Sequence, residues 1–217
     1  MKEFDAVVFD MDGVIFDSEK LVIDCWQVVA DKYGIADIET TCRKCLGLNQ
    51  DATKAVMLGI YGADFPYDAY KREASELFHK QAADGRLPVK QGVFEILKAL
   101  KDNGKKIALA SSTRKAVVER ELSDAGILRY FDKVIAGDMV KQSKPEPDIY
   151  LEACKQIGVS PDRAYAIEDS YNGIRSANAA GLRPIMVPDL APVTDEMKEL
   201  SEVVLESLME VKAYMEL

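Results

Sequence analysis

Histidine is almost missing from this chain: His79 is the only one among 217 residues. A Ser-His-Asp or Cys-His nucleophile system would depend wholly on that residue, and metal centres built from several imidazoles are excluded. Its polar setting, Phe78-His79-Lys80-Gln81, marks it as exposed rather than catalytic. Cysteine is scarce too. Cys25, Cys42, Cys45 and Cys154 lack the spacing of a disulfide framework, so a reducing, cytoplasmic setting is expected. Cys42 and Cys45 have redox-pair spacing, but no second pair completes a zinc site, and two incidental cysteines are the simpler reading. No apolar run approaches the roughly 20 residues that cross a bilayer, and the first residues lack the apolar stretch of a signal peptide. Positive charge is in deficit, with 28 Lys and Arg against 37 Asp and Glu, a net charge of -9. Nucleic acid or an anionic membrane would need a local basic patch, and none is present, so neither is expected as a partner. An anionic substrate would need locally concentrated positive charge or a metal cation.

What is there is ordinary globular material, 48% apolar and 30% charged, enough to bury a core without staples. Short apolar runs at Ala6 to Phe9, Lys106 to Ala110, Lys133 to Ala136, Ala164 to Ile167 and Pro184 to Val187 read as buried strands. Between them lie helical patterns, such as Val93, Ile96, Leu97 and Leu100, or Tyr150, Ala153, Cys154 and Ile157. Gly104, Gly126, Gly158 and Gly181 stand where such helices end. Strand alternating with helix predicts an α/β fold: a Rossmann-like three-layer α/β/α core with a mainly parallel sheet. From about Phe16 to Leu87 the rhythm breaks into helical patterns alone, centred on Leu21 to Tyr33, Ala52 to Ile60 and Tyr70 to Phe78. The expected organisation is therefore a discontinuous core, residues 1–16 and 87–217, interrupted by an inserted α-helical cap domain, residues 17–86. Trp26 either faces the core domain or, as the default reading, is an aromatic of the bundle interior.

Ligands of parallel sheets bind beyond the carboxyl ends of the strands. Those positions hold Asp10 and Asp12 after the first strand, Ser111, Ser112 and Thr113 after the second, Lys144 beyond the third, and Glu168 and Asp169 after the fourth. Each alone reads as a turn former or helix cap. Their joint placement at successive strand ends argues for a site. Four converging acids need a cation, and all-oxygen ligation with few carboxylates suits Mg2+, which takes phosphate oxygens from its substrate.

These residues resemble the haloacid dehalogenase superfamily. The first motif is Phe9-Asp10-Met11-Asp12-Gly13-Val14-Ile15-Phe16-Asp17-Ser18; the second is Ile107 to Ala110 leading into Ser111. The third is Ser143-Lys144-Pro145-Glu146-Pro147, and the fourth is Ile167-Glu168-Asp169-Ser170 with Asn172-Gly173. The resemblance implies that Asp10 is a nucleophile forming an aspartyl-phosphate and that Asp12 is the general acid and base. It further implies that Ser111 and Lys144 bind phosphoryl oxygens, and that Mg2+ is held by Asp10, the Asp12 backbone carbonyl and Asp169, with Glu168 in support. The acid at Asp12 favours phosphoryl transfer over dehalogenation, because halide leaves without a proton.

Within the family the motifs resemble the β-phosphoglucomutases and small sugar-phosphate phosphatases. Mutases of this type carry a cap histidine and a Ser-Arg pair after a cap glycine; here Val22 and Asn49-Gln50 stand near those places. Monoester hydrolysis of small sugar or polyol phosphates is therefore expected, with the mutase as alternative and a non-catalytic phospho-ligand binder as a lesser one. Gly47, Asn49 and Gln50 form either a specificity loop or the cap of the helix from Asp51. Arg43, Lys44, Lys54, Lys71 and Arg72 are substitute cations or a solvated helix face. The expected partner is a small phosphorylated metabolite, and the expected state a monomer or weak dimer.

Overall fold

The four residues Ala-Val-Val-Phe of strand β1 (Ala6–Phe9) are all buried, as a strand flanked on both sides and covered on both faces requires. The computed structural model describes residues 3–45, 50–83 and 87–217, the side chains of residues 19 and 50–52 excepted. After β1 come four helices: α1 (Ser18–Tyr33), α2 (Ile38–Cys45), α3 (Gln50–Tyr61) and α4 (Tyr67–Ala82). The alternation then follows as α5 (Val93–Asp102), β2 (Lys106–Ser111), α6 (Lys115–Asp124), β3 (Lys133–Ala136), α7 (Asp148–Ile157), β4 (Ala164–Glu168), α8 (Tyr171–Ala179) and β5 (Arg183–Met186). The chain closes with α9 (Asp195–Leu200), β6 (Val203–Val204) and α10 (Leu208–Tyr214). Contacts divide it into two units, Met1–Asp17 with Pro88–Leu217, and Ser18–Leu87.

In the first unit the sheet runs β3-β2-β1-β4-β5-β6, and every pairing is parallel. β1 lies between β2 and β4, at the point where the strand order reverses, which is where open α/β sheets leave a crevice. Register fixes what meets there. Phe9 pairs with Leu109 on one side and Ile167 on the other, so Asp10 emerges level with Ala110 and Glu168. One face of the sheet is lined by Ala6, Val8, Ala108, Ala110, Ala164 and Ala166, and their small side chains let α7 pack close through Tyr150, Ala153, Cys154 and Ile157. Gly158 ends α7 in the left-handed conformation at φ 66°, where a Cβ would be strained.

The edge strand β6 escapes the sequence reading because it is only two half-buried valines long. The second and fourth strands also run one residue further than their apolar patterns, taking in Ser111 and Glu168.

The second unit packs Val29, Ala30, Ile38, Cys45, Met57, Tyr67, Tyr70 and Ala74 into its own core. Tyr70 is fully buried with the rings of Trp26, Tyr33 and Phe65 within 5.9 Å, and its hydroxyl donates to the Trp26 carbonyl at 2.6 Å. Helix α2 has no counterpart in the sequence pattern, because its buried face is Ile38, Thr41, Cys42 and Cys45, too short and too polar to announce itself. That face accounts for the Cys-x-x-Cys spacing: both cysteines are buried on it. Among the described residues no helix is long and apolar enough to cross a membrane.

Candidate active site

Asp10 leaves the end of β1 with its backbone N–H still bonded to the Ile167 carbonyl at 3.0 Å, so the sheet itself aims the side chain. The Lys144 ammonium meets Asp10 Oδ1 at 2.5 Å, Glu168 Oε1 at 2.6 Å and the Ala110 carbonyl at 3.0 Å. Its three protons thus have three acceptors. Glu168 is fully buried and equally committed. Its Oε1 also accepts from the Tyr150 hydroxyl at 2.6 Å, and its Oε2 accepts from the Ser170 backbone N–H and hydroxyl at 3.3 and 3.1 Å. One oxygen each from Asp10, Glu168 and Asp169 lie within 4.8 Å of one another.

Burial pushes the Asp10 carboxyl up to about 8. Lys144 opposes that shift, while Glu168 and Asp12 add to it. Burial works against the Lys144 charge as well, but Asp10 and Glu168 outweigh it and hold the ammonium above the usual lysine range. Tyr150 is raised far above the ordinary phenol, first by burial and then by Glu168, so its hydroxyl keeps its proton and donates. A cluster this acidic and this dry is unfavourable with a single lysine as its counter-charge, and its all-carboxylate donor set suits a hard divalent cation.

Asp12, two residues beyond Asp10, accepts from the Thr113 hydroxyl at 3.2 Å, and the Thr113 backbone N–H donates to Ser111 Oγ at 3.1 Å. The β2 turn thereby ties the second acid to the buried serine. Ser112 is exposed, and its backbone carbonyl lies against Gly137, where a Cβ would come within 2.2 Å of it. The Asp10, Glu168, Asp169 and Lys144 side chains gather at one point, with Asp12 and Ser111 linked through Thr113. Gly47 and Asn49 lie outside the described residues, as does the side chain of Gln50. Of the substitute cations, Arg43 pairs with Glu39 at 2.8 Å and Lys54 with Asp68 at 2.7 Å, both on the surface. His79 is exposed.

Residues that strand-end reading passes over complete the surroundings. Tyr150 reads as one more apolar-face residue of α7, and only its hydrogen bond to Glu168 brings it to the site. Lys90 donates to the Gly13 carbonyl at 2.7 Å and pairs with Asp189 at 2.9 Å, pinning the turn after β1. Glu121 on α6 is buried and pushed up to about 7 by burial and then by the charge of Asp12.

Two glycines leave space for the carboxylates. A Cβ on Gly13, itself at φ 79°, would fall 2.0 Å from Asp169 Oδ2; one on Gly173 would fall 1.9 Å from the Glu168 carboxyl. Gly173 lies in the first turn of α8, where Ser170 Oγ caps its N–H at 3.0 Å. Alanine there gains about 1 kcal/mol of helix propensity, but overpacking typically costs about 1–3 kcal/mol. Glu168 has four hydrogen bonds opposing retreat. Gly173→Ala is expected to lower the melting temperature despite the better helix former; a melt at or above the unchanged protein's would contradict the tight fit.

A model of the haloacid dehalogenase-like hydrolase family matches residues 7–187. The chain belongs to this family. Among curated relatives, the phosphorylated carbohydrates phosphatase of Thermotoga maritima is 32% identical over 181 residues, 83% of either chain. Protein CbbY of Cereibacter sphaeroides is 37% identical over 129 residues, 58% of this chain and 56% of that protein. Among solved structures, CbbY from Rhodobacter sphaeroides in complex with phosphate shares 28% identity and a TM-score of 0.72 across 96% of both chains. β-Phosphoglucomutase from Clostridium difficile shares 25% identity and a TM-score of 0.72, over 98% of this chain and 96% of that one. The parallel α/β fold above is therefore that of a haloacid dehalogenase-like hydrolase, and the protein is an enzyme of that class.

Proposed function

We propose that this hydrolase is a Mg2+-dependent phosphatase that cleaves small phosphomonoesters, sugar or polyol phosphates first among them, through an aspartyl-phosphate. The observation that carries the reading is the buried meeting of Asp10, Lys144 and Glu168, with Asp12 held beside it by Thr113. Asp10 attacks phosphorus in line with the ester oxygen; the new bond forms to the Asp10 carboxylate as the bond to the leaving alkoxide breaks. Asp12 gives that alkoxide its proton and so becomes a carboxylate. It then takes a proton from water, whose oxygen attacks the same phosphorus and releases Asp10 and inorganic phosphate. Lys144 and Ser111 hold the non-bridging oxygens, the ammonium exchanging its contact with Asp10 for one with the phosphoryl group. Asp10, Asp169 and the Asp12 backbone carbonyl would hold Mg2+, with Glu168 behind them, and when bound its charge favours the ionised Asp10 and balances that of the phosphoryl group.

The names of the relatives support carbohydrate phosphates as the substrate class. Hydrolysis is favoured over the mutase reaction because Val22, half-buried in α1, stands near the place of the mutase cap histidine. The test is phosphate release from sugar, polyol and nucleoside monophosphates with Mg2+, alongside conversion of β-glucose 1-phosphate to glucose 6-phosphate. Sugar or polyol esters are expected to turn over fastest, with release exceeding isomerisation. Isomerisation outpacing release would replace the phosphatase with a mutase.

A further inference from the structure

We propose that Tyr150 is a positioning residue of this site: its hydroxyl fixes the Glu168 carboxylate so that the Lys144 ammonium faces Asp10. Three observations point this way. Tyr150 and Glu168 are both fully buried, so their 2.6 Å hydrogen bond has no water to replace it. Glu168 Oε1 is shared between that hydroxyl and Lys144 Nζ, while Oε2 is taken by Ser170. The carboxylate thus has a donor at each of its acceptor positions, and Gly173 closes its remaining space. Lys144 in turn is set by Glu168, Asp10 and the Ala110 carbonyl.

Removing the hydroxyl removes one of the constraints on Glu168 while leaving the rest of the residue in place. The ring is a member of the sheet-to-α7 core, and Lys144 Nζ lies 5.2 Å from its centroid. Phenylalanine keeps that packing and that cation-to-ring approach. With Oε1 less constrained, Glu168 is free to turn toward Lys144 and draw the ammonium away from Asp10. Tyr150 touches neither substrate nor metal in this reading; it acts through Glu168.

For its kinetic consequence the proposal rests on the phosphatase reading, while its structural consequence stands without it. The test is Tyr150→Phe, compared with the unchanged protein by crystallography in matched substrate-free conditions and by steady-state kinetics with the best ester of the panel. The expected crystal structure keeps the ring in place, turns Glu168 and lengthens the Lys144 to Asp10 contact beyond hydrogen-bond range. The expected kinetics are a kcat lowered about tenfold, the scale for loss of a partner behind a ligand, with KM changed less than about twofold. In a Glu168→Gln background the same substitution is expected to have little further effect on kcat, because the group it acts through is already altered. An unchanged Lys144 to Asp10 contact would overturn the proposal, as would a lowered melting temperature with kcat intact, which marks a structural role only. If no ester is turned over by the unchanged protein, the phosphatase reading fails, and the crystal comparison still decides the role of Tyr150.

Discussion

Asp10→Asn is expected to lower kcat by on the order of 10⁴-fold or more, the scale seen when a covalent nucleophile is removed. The amide is nearly the same shape but is far too weak a nucleophile to open the covalent route, so Asp12 and Lys144 are left with nothing to assist. Phosphate release assayed with Mg2+ in excess reads this directly, and activity within about tenfold of the unchanged protein would reject Asp10 as nucleophile. The same substitution has a second consequence, of opposite sign. Burial raises the Asp10 carboxyl from its ordinary 3.8 to about 8 in the metal-free protein, so the fold favours the protonated form. A folded pKa raised above the unfolded one contributes stability that is fully present below about pH 4 and lost as pH rises through about 8. Asparagine has no proton to lose. In chelator, therefore, Asp10→Asn is expected to melt higher than the unchanged protein at pH 8, with the difference shrinking toward pH 5. Mg2+ is expected to narrow the gap at pH 8 by binding the unchanged protein more tightly. A variant that melts lower at pH 8 in chelator would mean that the pairing with Lys144, not burial, dominates Asp10.

The contrast between what the sequence announces and what it hides follows from the range of the forces involved. A buried parallel strand must be nearly all apolar, so Ala6 to Phe9 is legible, and with it the position of Asp10 just beyond. Helix ends need a residue that tolerates positive φ, so Gly104, Gly126, Gly158 and Gly181, all at φ between 66° and 81°, were readable as punctuation. The two-residue β6 carries too little pattern to stand out, and α2 buries a threonine and two cysteines where a periodicity search looks for leucine. Tyr150 illustrates a different limit. Its spacing along α7 assigns it to the core, correctly, but the fate of its hydroxyl depends on Glu168, which arrives at the end of β4, 18 residues later. Gly173 is similar: nothing local requires a glycine in the first turn of a helix, and only the Glu168 carboxyl packed against it supplies the reason. Contacts made through chain neighbours are visible in one dimension; contacts made by tertiary packing are not.

Lys144→Met is expected to be the most damaging single change to the fold at the site. The Lys144 side chain is 7% exposed, and its ammonium stands between the carboxylates of Asp10 and Glu168, whose side chains are 10% and 0% exposed. Methionine replaces most of the volume, so packing is little changed, but two buried carboxyls lose their shared cation. Breaking a buried pair by removing one partner typically costs about 3–5 kcal/mol. Part of that cost is recoverable by protonation, which gives the loss a sign with pH: Asp10 already favours its neutral form below about pH 8, so the penalty is expected to be smaller at pH 5.5 than at pH 8.5. Lys144 is itself held above the usual lysine range by the two carboxylates, so the unchanged protein keeps its cation across that interval and the contrast belongs to the variant. Urea titrations at the two pH values measure it, and a loss below about 1 kcal/mol at pH 8.5 would show that the network is not what holds these carboxyls. Turnover should also fall, by about 10²–10³-fold, the scale for removing a donor aimed at developing charge. Replacing the whole charged set separates the two effects. A triple variant, Lys144→Met with Asp10→Asn and Glu168→Gln, has no buried charge left in the Asp10–Lys144–Glu168 set, and it is expected to regain most of the stability while remaining inactive. Stability would then follow the balance of charge in the cluster, while activity would require the charges themselves.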